Sequence, residues 1–311
     1  MKNKTIRIGT RGSMLALYQA NLVKEAIQNH FPEMKVVIQI IKTQGDKILD
    51  VPLAKIGDKG LFTKELENAL LNNEIDIAVH SLKDLPTLLP QGIKLSAVLE
   101  RGEVRDVLIA SDNRKLNELT NIDIIGTSSL RRKAQLLHFN PSLKIIDIRG
   151  NVETRIKKMN EKYCTALILA GAGVIRLKKQ EAITEYLNTD IIIPAVSQGI
   201  IGIESRENDP FIDSITVLIN HTPTWKSALA ERAFLRAIEG GCQIPVGCFT
   251  IFENDNFKIK GFIADINGKK IIKKEFSGAT IDAESISIKL ANYLLNQGGE
   301  EIMNKIRLTH E

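Results

Sequence analysis

Ile75-Asp76-Ile77-Ala78-Val79-His80-Ser81-Leu82-Lys83-Asp84 reads as a short apolar strand that ends in a cluster of polar side chains. An apolar run of this length, bounded by polar punctuation, is the pattern of a strand covered on both faces. Just upstream, Phe62, Leu66, Ala69 and Leu70 mark a helix. Further back, residues 6–9 form a strand, residues 10–13 turn, and Leu15, Tyr18, Leu22, Val23, Ala26 and Ile27 lie on one helical face. Residues 35–42, rich in Val and Ile, read as another strand. Strands alternating with helices predict an α/β fold with mixed, mostly parallel sheets and ligands at the strand ends.

The pattern repeats after Arg101-Gly102. Strands are expected at 107–110, 122–126, 143–148 and 166–169, and helices at 130–138, 152–160 and 180–186. Pro194-Ala195-Val196-Ser197-Gln198-Gly199 is a connector bounded by proline and glycine, and a hinge is expected there and near 100–102. From about residue 220 the character changes. A helix over 224–239 precedes two strands, 257–266 and 270–276, around Asn267-Gly268, a hairpin signal. A helix over 286–295 follows, giving a small α+β domain. Residues 44–60 show no period, hold several glycines and many charges, and are expected to form a mobile lid.

At 311 residues the chain calls for two or three domains. The 42 basic against 37 acidic residues leave a net charge of +5, too small to demand nucleic acid but compatible with a local cationic site for an acidic substrate. Aromatics are only 5%, whereas single-strand binders add stacking platforms. No run of about eighteen apolar residues suggests a membrane span. The N-terminus shows no secretory pattern. Cys164, Cys242 and Cys248 are a poor disulfide framework, and the expected address is the cytoplasm. No His or second Cys pair accompanies Cys242 and Cys248, so no metal site is expected.

Two kinds of residue could carry chemistry. Asp84, past the end of a buried strand, is either a solvated turn opener before Pro86 or a general acid/base. Arginines recur at strand ends: Arg11 after the first, Arg131 and Arg132 after Gly126-Thr127-Ser128-Ser129-Leu130, Arg149 and Arg155 around Gly150-Asn151, and Arg176 after the strand at 166–169. One such arginine is ordinary surface charge, but strand ends converge in open α/β folds, where guanidinium groups bind carboxylates bidentately. Lys55 and Lys59 could add charge from the loop. Cys242 follows Gly240-Gly241, a tether that suits a reactive thiol as well as a small buried side chain.

Several segments resemble one family. Val51-Pro52-Leu53-Ala54-Lys55-Ile56-Gly57-Asp58-Lys59-Gly60-Leu61-Phe62 is similar to the active-site loop of porphobilinogen deaminases, and Ala78-Val79-His80-Ser81-Leu82-Lys83-Asp84 to their catalytic segment. Residues 126–132, 149–155, 194–204 and 231–247 match as well. The resemblance implies two lobes like type II periplasmic binding proteins plus a small α+β C-terminal domain. Their expected bounds are 1–100 with 200–219, 101–199, and 220–311. It implies a transferase that deaminates porphobilinogen and adds four units to a dipyrromethane cofactor held by a thioether to Cys242, then releases hydroxymethylbilane. Asp84 would be the acid and base. Lys83, Asp46, Thr127, Ser129, Arg131, Arg132 and Gly150 would bind the cofactor. Arg11, Ser13, Gln19, Lys55, Lys59, Ser81, Arg149, Arg155, Arg176 and Gln198 would bind porphobilinogen and the growing polypyrrole chain. The family also implies a monomer.

Two departures stand out. Ser197 replaces an expected glycine, and Gly102-Glu103-Val104-Arg105-Asp106 replaces a more usual Asp-Pro-Arg-Asp; neither is expected to touch a chemical residue. Two rival functions remain at this point. A solute-binding protein would leave the cysteine domain without a task. A nucleic-acid binder would show steep salt dependence.

Overall fold

The computed structural model describes residues 5–47, 60–238 and 244–308. These fall into two compact units: residues 5–47, 60–102 and 199–226, and residues 103–198, 227–238 and 244–308. The chain leaves the first unit between Gly102 and Glu103 and returns between Gln198 and Gly199. The amide of Gly102 donates to the carbonyl of Gly199 at 3.1 Å.

In the first unit, β1 (Thr5–Thr10), α1 (Met14–His30), β2 (Lys35–Ile40), α2 (Lys64–Leu71), β3 (Ile77–Ser81), β4 (Ile93–Val98) and β10 (Ile201–Arg206) build a sheet of order β2-β1-β3-β10-β4. Only β10 runs antiparallel to its neighbours. Ser13 caps α1, its Oγ accepting from the amide of Ala16 at 3.3 Å, and Ala16, Ala20, Val23 and Ile27 then recur on the buried face. β3 is covered on both sides. Ile77 and Val79 pack with Ile8, Val23 and Ile203, while Ala78 packs with Leu66, Leu70 and Ile93. Burial of such side chains stabilises by about 1.5–3 kcal/mol each, so the strand that ends at Ser81 is a rigid support.

The second unit holds β5 (Asp106–Ala110), β6 (Ile124–Gly126), α3 (Leu130–Phe139), β7 (Lys144–Ile146), α4 (Val152–Asn160), β8 (Ala166–Ala170), α5 (Gly171–Arg176) and β9 (Glu185–Tyr186). Its sheet order is β7-β6-β8-β5-β9, with β5 the antiparallel strand. Both sheets share one plan. Each has a parallel core plus one reversed strand, and that strand follows a passage from the other unit. This is the two-lobed architecture of type II periplasmic binding proteins. The small C-terminal domain adds an antiparallel sheet β11 (Val246–Glu253), β12 (Asn256–Ala264) and β13 (Ile271–Ala279). Phe234, Phe257, Leu290 and Leu294 fill its core; they come from α7 (Thr222–Ile238), β12 and α8 (Ala283–Leu294). α6 (Pro210–Ile219) packs in the first unit, and α9 (Glu300–Leu308) closes the chain.

Several sequence expectations fail locally. The helix expected over 180–186 is a 3-10 turn, Gln180–Ala182, followed by β9. Val107 pairs with Tyr186 there, so an open sheet edge outweighs helical spacing. Phe62 precedes α2 rather than lying in it. The aperiodic stretch begins with a helical turn, Gln44–Lys47, and its remainder up to residue 59, with Lys55 and Lys59, lies outside the described residues. β10 was not read as a strand because Glu204 and Ser205 are polar, yet both are completely buried.

Gly247 on β11 has a packing reason to be glycine. A Cβ there would stand 2.3 Å from the carbonyl oxygen of Pro194 and 3.1 Å from Cδ of Arg131. A backbone carbonyl cannot rotate away, so Gly247→Ala must displace the strand. Overpacking of this kind costs about 1–3 kcal/mol, and a lowered thermal midpoint is expected. An unchanged midpoint in a melting curve would show that β11 yields freely.

Candidate active site

One pocket in the first unit gathers five of the expected residues. Arg11, Ser13, Gln19, Ser81 and Asp84 line it, together with Phe62 and His80. The fold explains the gathering. Arg11 and Ser13 leave the C-terminal end of β1, and Ser81 ends β3, the strand beside it. Leu82–Asp84 form a single 3-10 turn that presents Asp84, which is exposed. The amide of Leu82 donates to Ile200 at 2.9 Å, holding that turn to the segment before β10. Gln19, on the buried side of α1, donates from Nε2 to Oγ of Ser81 at 2.8 Å. Lys83 lies half-buried in the same turn.

Arg11 and Asp46, expected to serve substrate and cofactor respectively, meet each other. Nη2 of Arg11 lies 2.5 Å from Oδ1 of Asp46, and its guanidinium stacks 4.1 Å from the Phe62 ring centroid. Burial pushes the Asp46 carboxyl up, but the bonds from Arg11 and Thr43 outweigh it and hold the carboxyl below its ordinary range. Phe62 was read only as a helix residue. Its role as the platform under Arg11 depends on a contact that spacing does not reveal.

The second unit carries the other arginines. Thr127 and Ser129 lie between β6 and α3, and Oγ of Ser129 caps the helix by accepting from the amide of Arg132 at 3.5 Å. Arg131 and Arg132 then point inward. Both are about 6% exposed, and both pair with Asp106, at 2.7 and 2.8 Å. They also donate to the carbonyls of Ile193 and Ile168. Burial pushes the Asp106 carboxyl up, but the two guanidinium charges hold it far below the ordinary carboxylate range. Gln198, expected at substrate, is fully buried and donates to Oδ1 of Asp106 at 3.0 Å. Within the substituted segment the Val104 carbonyl accepts from Nε2 of Gln198 at 2.8 Å, so the departure does touch an expected site residue, while Asp106 itself is common to both patterns. Sequence spacing gave no sign of the Asp106 contacts, because Asp106 meets its partners only across the sheet. Ser197 adopts φ +62°, which explains the expected glycine, since this region favours a residue without Cβ.

Arg155 is held by the turn between β7 and α4. Gly150 has φ +113°, and its carbonyl accepts from Nε of Arg155 at 2.8 Å. Burial, then the like charges of Arg132 and Arg149, lower the Arg155 guanidinium to about 10. Among the described residues no carboxylate forms an ion pair with Arg155. Arg132, buried, and Arg149 and Arg155, half-buried, stand close enough for their like charges to act on one another, and guanidinium groups gathered in this way favour an anion. A dipyrromethane, with an acetate and a propionate on each ring, suits that donor set. Arg176 does not sit at a strand end as expected. It ends the short helix α5. Cys242 lies outside the described residues, although the segment after it leads into Gly247, whose backbone packs against Arg131.

Among the described residues no helix is long and apolar enough to cross a membrane, and no cluster of His, Cys, Asp or Glu could hold a metal. The sequence matches two family descriptions in tandem. Residues 6–214 match "Porphobilinogen deaminase, dipyromethane cofactor binding domain", and residues 225–296 match "Porphobilinogen deaminase, C-terminal domain". The chain belongs to the porphobilinogen deaminase family. A porphobilinogen deaminase of Carboxydothermus hydrogenoformans is 49% identical over 304 residues, 98% of each chain. That of Desulfitobacterium hafniense is 48% identical over 303 residues, covering 97% of this chain and 98% of the relative. Among solved structures, the BenM effector binding domain with benzoate is similar at TM-score 0.43 and 17% identity, over 70% of this chain and 91% of that one.

Members of this porphobilinogen deaminase family are transferases of tetrapyrrole and haem biosynthesis. The enzyme deaminates porphobilinogen and adds four units stepwise to a dipyrromethane primer, then releases hydroxymethylbilane by hydrolysis. Porphobilinogen and the growing polypyrrole are accordingly its partners, and dipyrromethane its cofactor.

Proposed function

We propose that Asp84 is the acid and base of porphobilinogen coupling and that Cys242 carries the dipyrromethane as a thioether. One observation carries the reading: Asp84 lines the same pocket as Arg11, Ser13, Gln19 and Ser81. A carboxyl there can hand a proton to the departing amine of porphobilinogen. The carboxylate left behind faces the cation that the departure creates, and preorganised charge at that point lowers the barrier. The same carboxylate then takes the pyrrole ring proton after the carbon–carbon bond forms. When bound, the dipyrromethane supplies the nucleophilic carbon at which the chain grows.

Arg11 and the Gln19–Ser81 pair orient the incoming unit in the pocket, with Ser13, Lys55 and Lys59 assisting. Arg149 and Arg155 hold substrate carboxylates, and Arg176 serves the lengthening chain. Arg131, Arg132, Ser129, Thr127, Gly150, Lys83 and Asp46 serve the cofactor. Gln198 supports Asp106 and through it the two buried arginines. The protein acts as a cytoplasmic monomer, with domains at 1–100 and 200–219, 101–199, and 220–311.

Arg155→Leu tests the carboxylate assignment. A charge-assisted bond contributes about 1.5–3 kcal/mol, enough to slow one addition by roughly ten- to a hundredfold. Mass spectra of the variant given limited porphobilinogen should show early enzyme–pyrrole intermediates piling up. The same spread of intermediates as wild type would reduce Arg155 to a general attractant of anions.

A further inference from the structure

The strand that delivers Ser81 and Asp84 carries a second polar cluster on one covered face. Nε2 of His80 lies 2.8 Å from Oε2 of Glu204, with side-chain exposures of 5% and 0%. In the β3–β10 register Gly202 pairs with His80 and Glu204 with Ala78. His80, Ala78 and Glu204 therefore share one sheet face. Glu67 of α2 is buried against the same face. Burial and the charge of Glu204 push its carboxyl above the ordinary range, and His80 opposes them. Nε2 of His80 and both carboxylate oxygens of Glu204 are buried without a well-aligned hydrogen bond, so the two side chains meet as a close ion-pair contact.

Two other charged groups lie near this face. Glu65 on α2 accepts from the amide of Gln44, and its charge adds to the upward push on the Glu67 carboxyl. Arg206, two residues beyond Glu204, donates to the carbonyls of Leu70 and Ile75 and pairs with Asp76 and Asp209.

The rest of this face is apolar, formed by Leu66, Ala69, Leu70, Ile75, Ala78 and Ile93. Apolar side chains of similar size would be at least as stabilising as a buried ionic cluster. A stability argument therefore leaves the cluster unexplained, and its position offers an explanation. His80 lines the pocket that contains Asp84, and it directly precedes Ser81, the partner of Gln19.

We propose that His80 is a positioning residue for the coupling step: anchored by Glu204 and flanked by Glu67, it fixes the end of β3 from which Ser81 and Asp84 enter the pocket. The inference rests on the reading of Asp84 as acid and base. Misplacing a reacting group by a fraction of an ångström to an ångström costs about ten- to a hundredfold in rate.

The test compares two substitutions in the full-length holoenzyme. In His80→Gln the side-chain nitrogen falls near the place of imidazole Nε2 and can keep the contact with Glu204; in His80→Asn it falls short. For His80→Asn, kcat is expected to drop about tenfold, with KM within about twofold and the cofactor mass unchanged, while His80→Gln keeps at least about a third of kcat. Two variants both at wild-type kcat would overturn the proposal. So would two equally slow variants, since the contact with Glu204 would then not be what matters. If His80→Asn fails to fold, the double variant His80→Leu with Glu204→Leu decides. Its apolar pair leaves no buried charge; a tenfold loss of kcat supports positioning, and full kcat overturns it. Asp84→Asn is measured in parallel. Near-normal turnover there would refute the acid–base reading itself, whatever the His80 variants do.

Discussion

Asp84→Asn is expected to fold, to carry its dipyrromethane and to turn over about 10²–10⁴-fold more slowly than wild type. The fold should be indifferent, because Asp84 is exposed on its 3-10 turn and forms no ion pair among the described residues. Surface changes of that kind usually stay within about 0.5 kcal/mol. The chemistry should not be indifferent. An amide can neither protonate the leaving amine nor offset the charge of the cation, and it cannot accept the ring proton. Loss of charge stabilisation can deepen the effect beyond loss of the acid. Asp84→Glu keeps the charge at a shifted position and should retain part of the rate. Steady-state assays of both variants beside melting curves check this directly. Turnover of Asp84→Asn within a few-fold of wild type, at an unchanged melting point, would move the proton transfer to another group.

The largest expected effect on stability lies in the second unit. Asp106 is completely buried between Arg131 and Arg132, with Gln198 donating to it as well. Removing one member of a buried ionic group strands the others, at a cost of about 3–5 kcal/mol. Asp106→Asn should therefore melt far below wild type and assemble less cofactor. The sign of the pH dependence follows from the same contacts. The two guanidinium groups lower the folded carboxyl far below the ordinary carboxylate range despite its burial. Its contribution is complete above the unfolded value of about 4. Below that, the unfolded chain binds a proton that the folded one refuses, so stability falls as the pH falls. Urea unfolding of wild type and Asp106→Asn should thus converge in acid and separate near neutrality. Equal unfolding midpoints at neutral pH would contradict this account.

These two sites differ in how far the sequence revealed them. Strand-end position singled out Arg11 and Asp84 as candidates, whereas Ser13, Gln19 and Ser81 came only from the family resemblance. Arg11 and Ser81 occupy the same end of neighbouring parallel strands, and a parallel sheet brings such ends together by construction. Asp106 and Glu204 were not readable, because each is a buried carboxylate, Asp106 at the first residue of its strand and Glu204 inside its own, and local spacing gives a carboxylate no buried partner. Their partners stand far away in sequence, from Glu204 to His80 and from Asp106 to Arg132. Arg176 was misplaced for a local reason. A glycine follows Ala170, and the chain enters a short helix at once, so one helix separates the arginine from its strand. β9 was mistaken for a helix because a two-residue strand has no period of its own; only pairing with β5 defines it.

The central claim is that this chain builds its product on a two-ring primer attached to Cys242. Intact mass of the denatured, purified protein tests it most directly. Wild type should be heavier than its sequence by two porphobilinogens less two ammonias, and Cys242→Ser should lose that excess, while substitutions of the buried Cys164 and Cys248 keep it. Active wild-type protein at the bare sequence mass would contradict the claim.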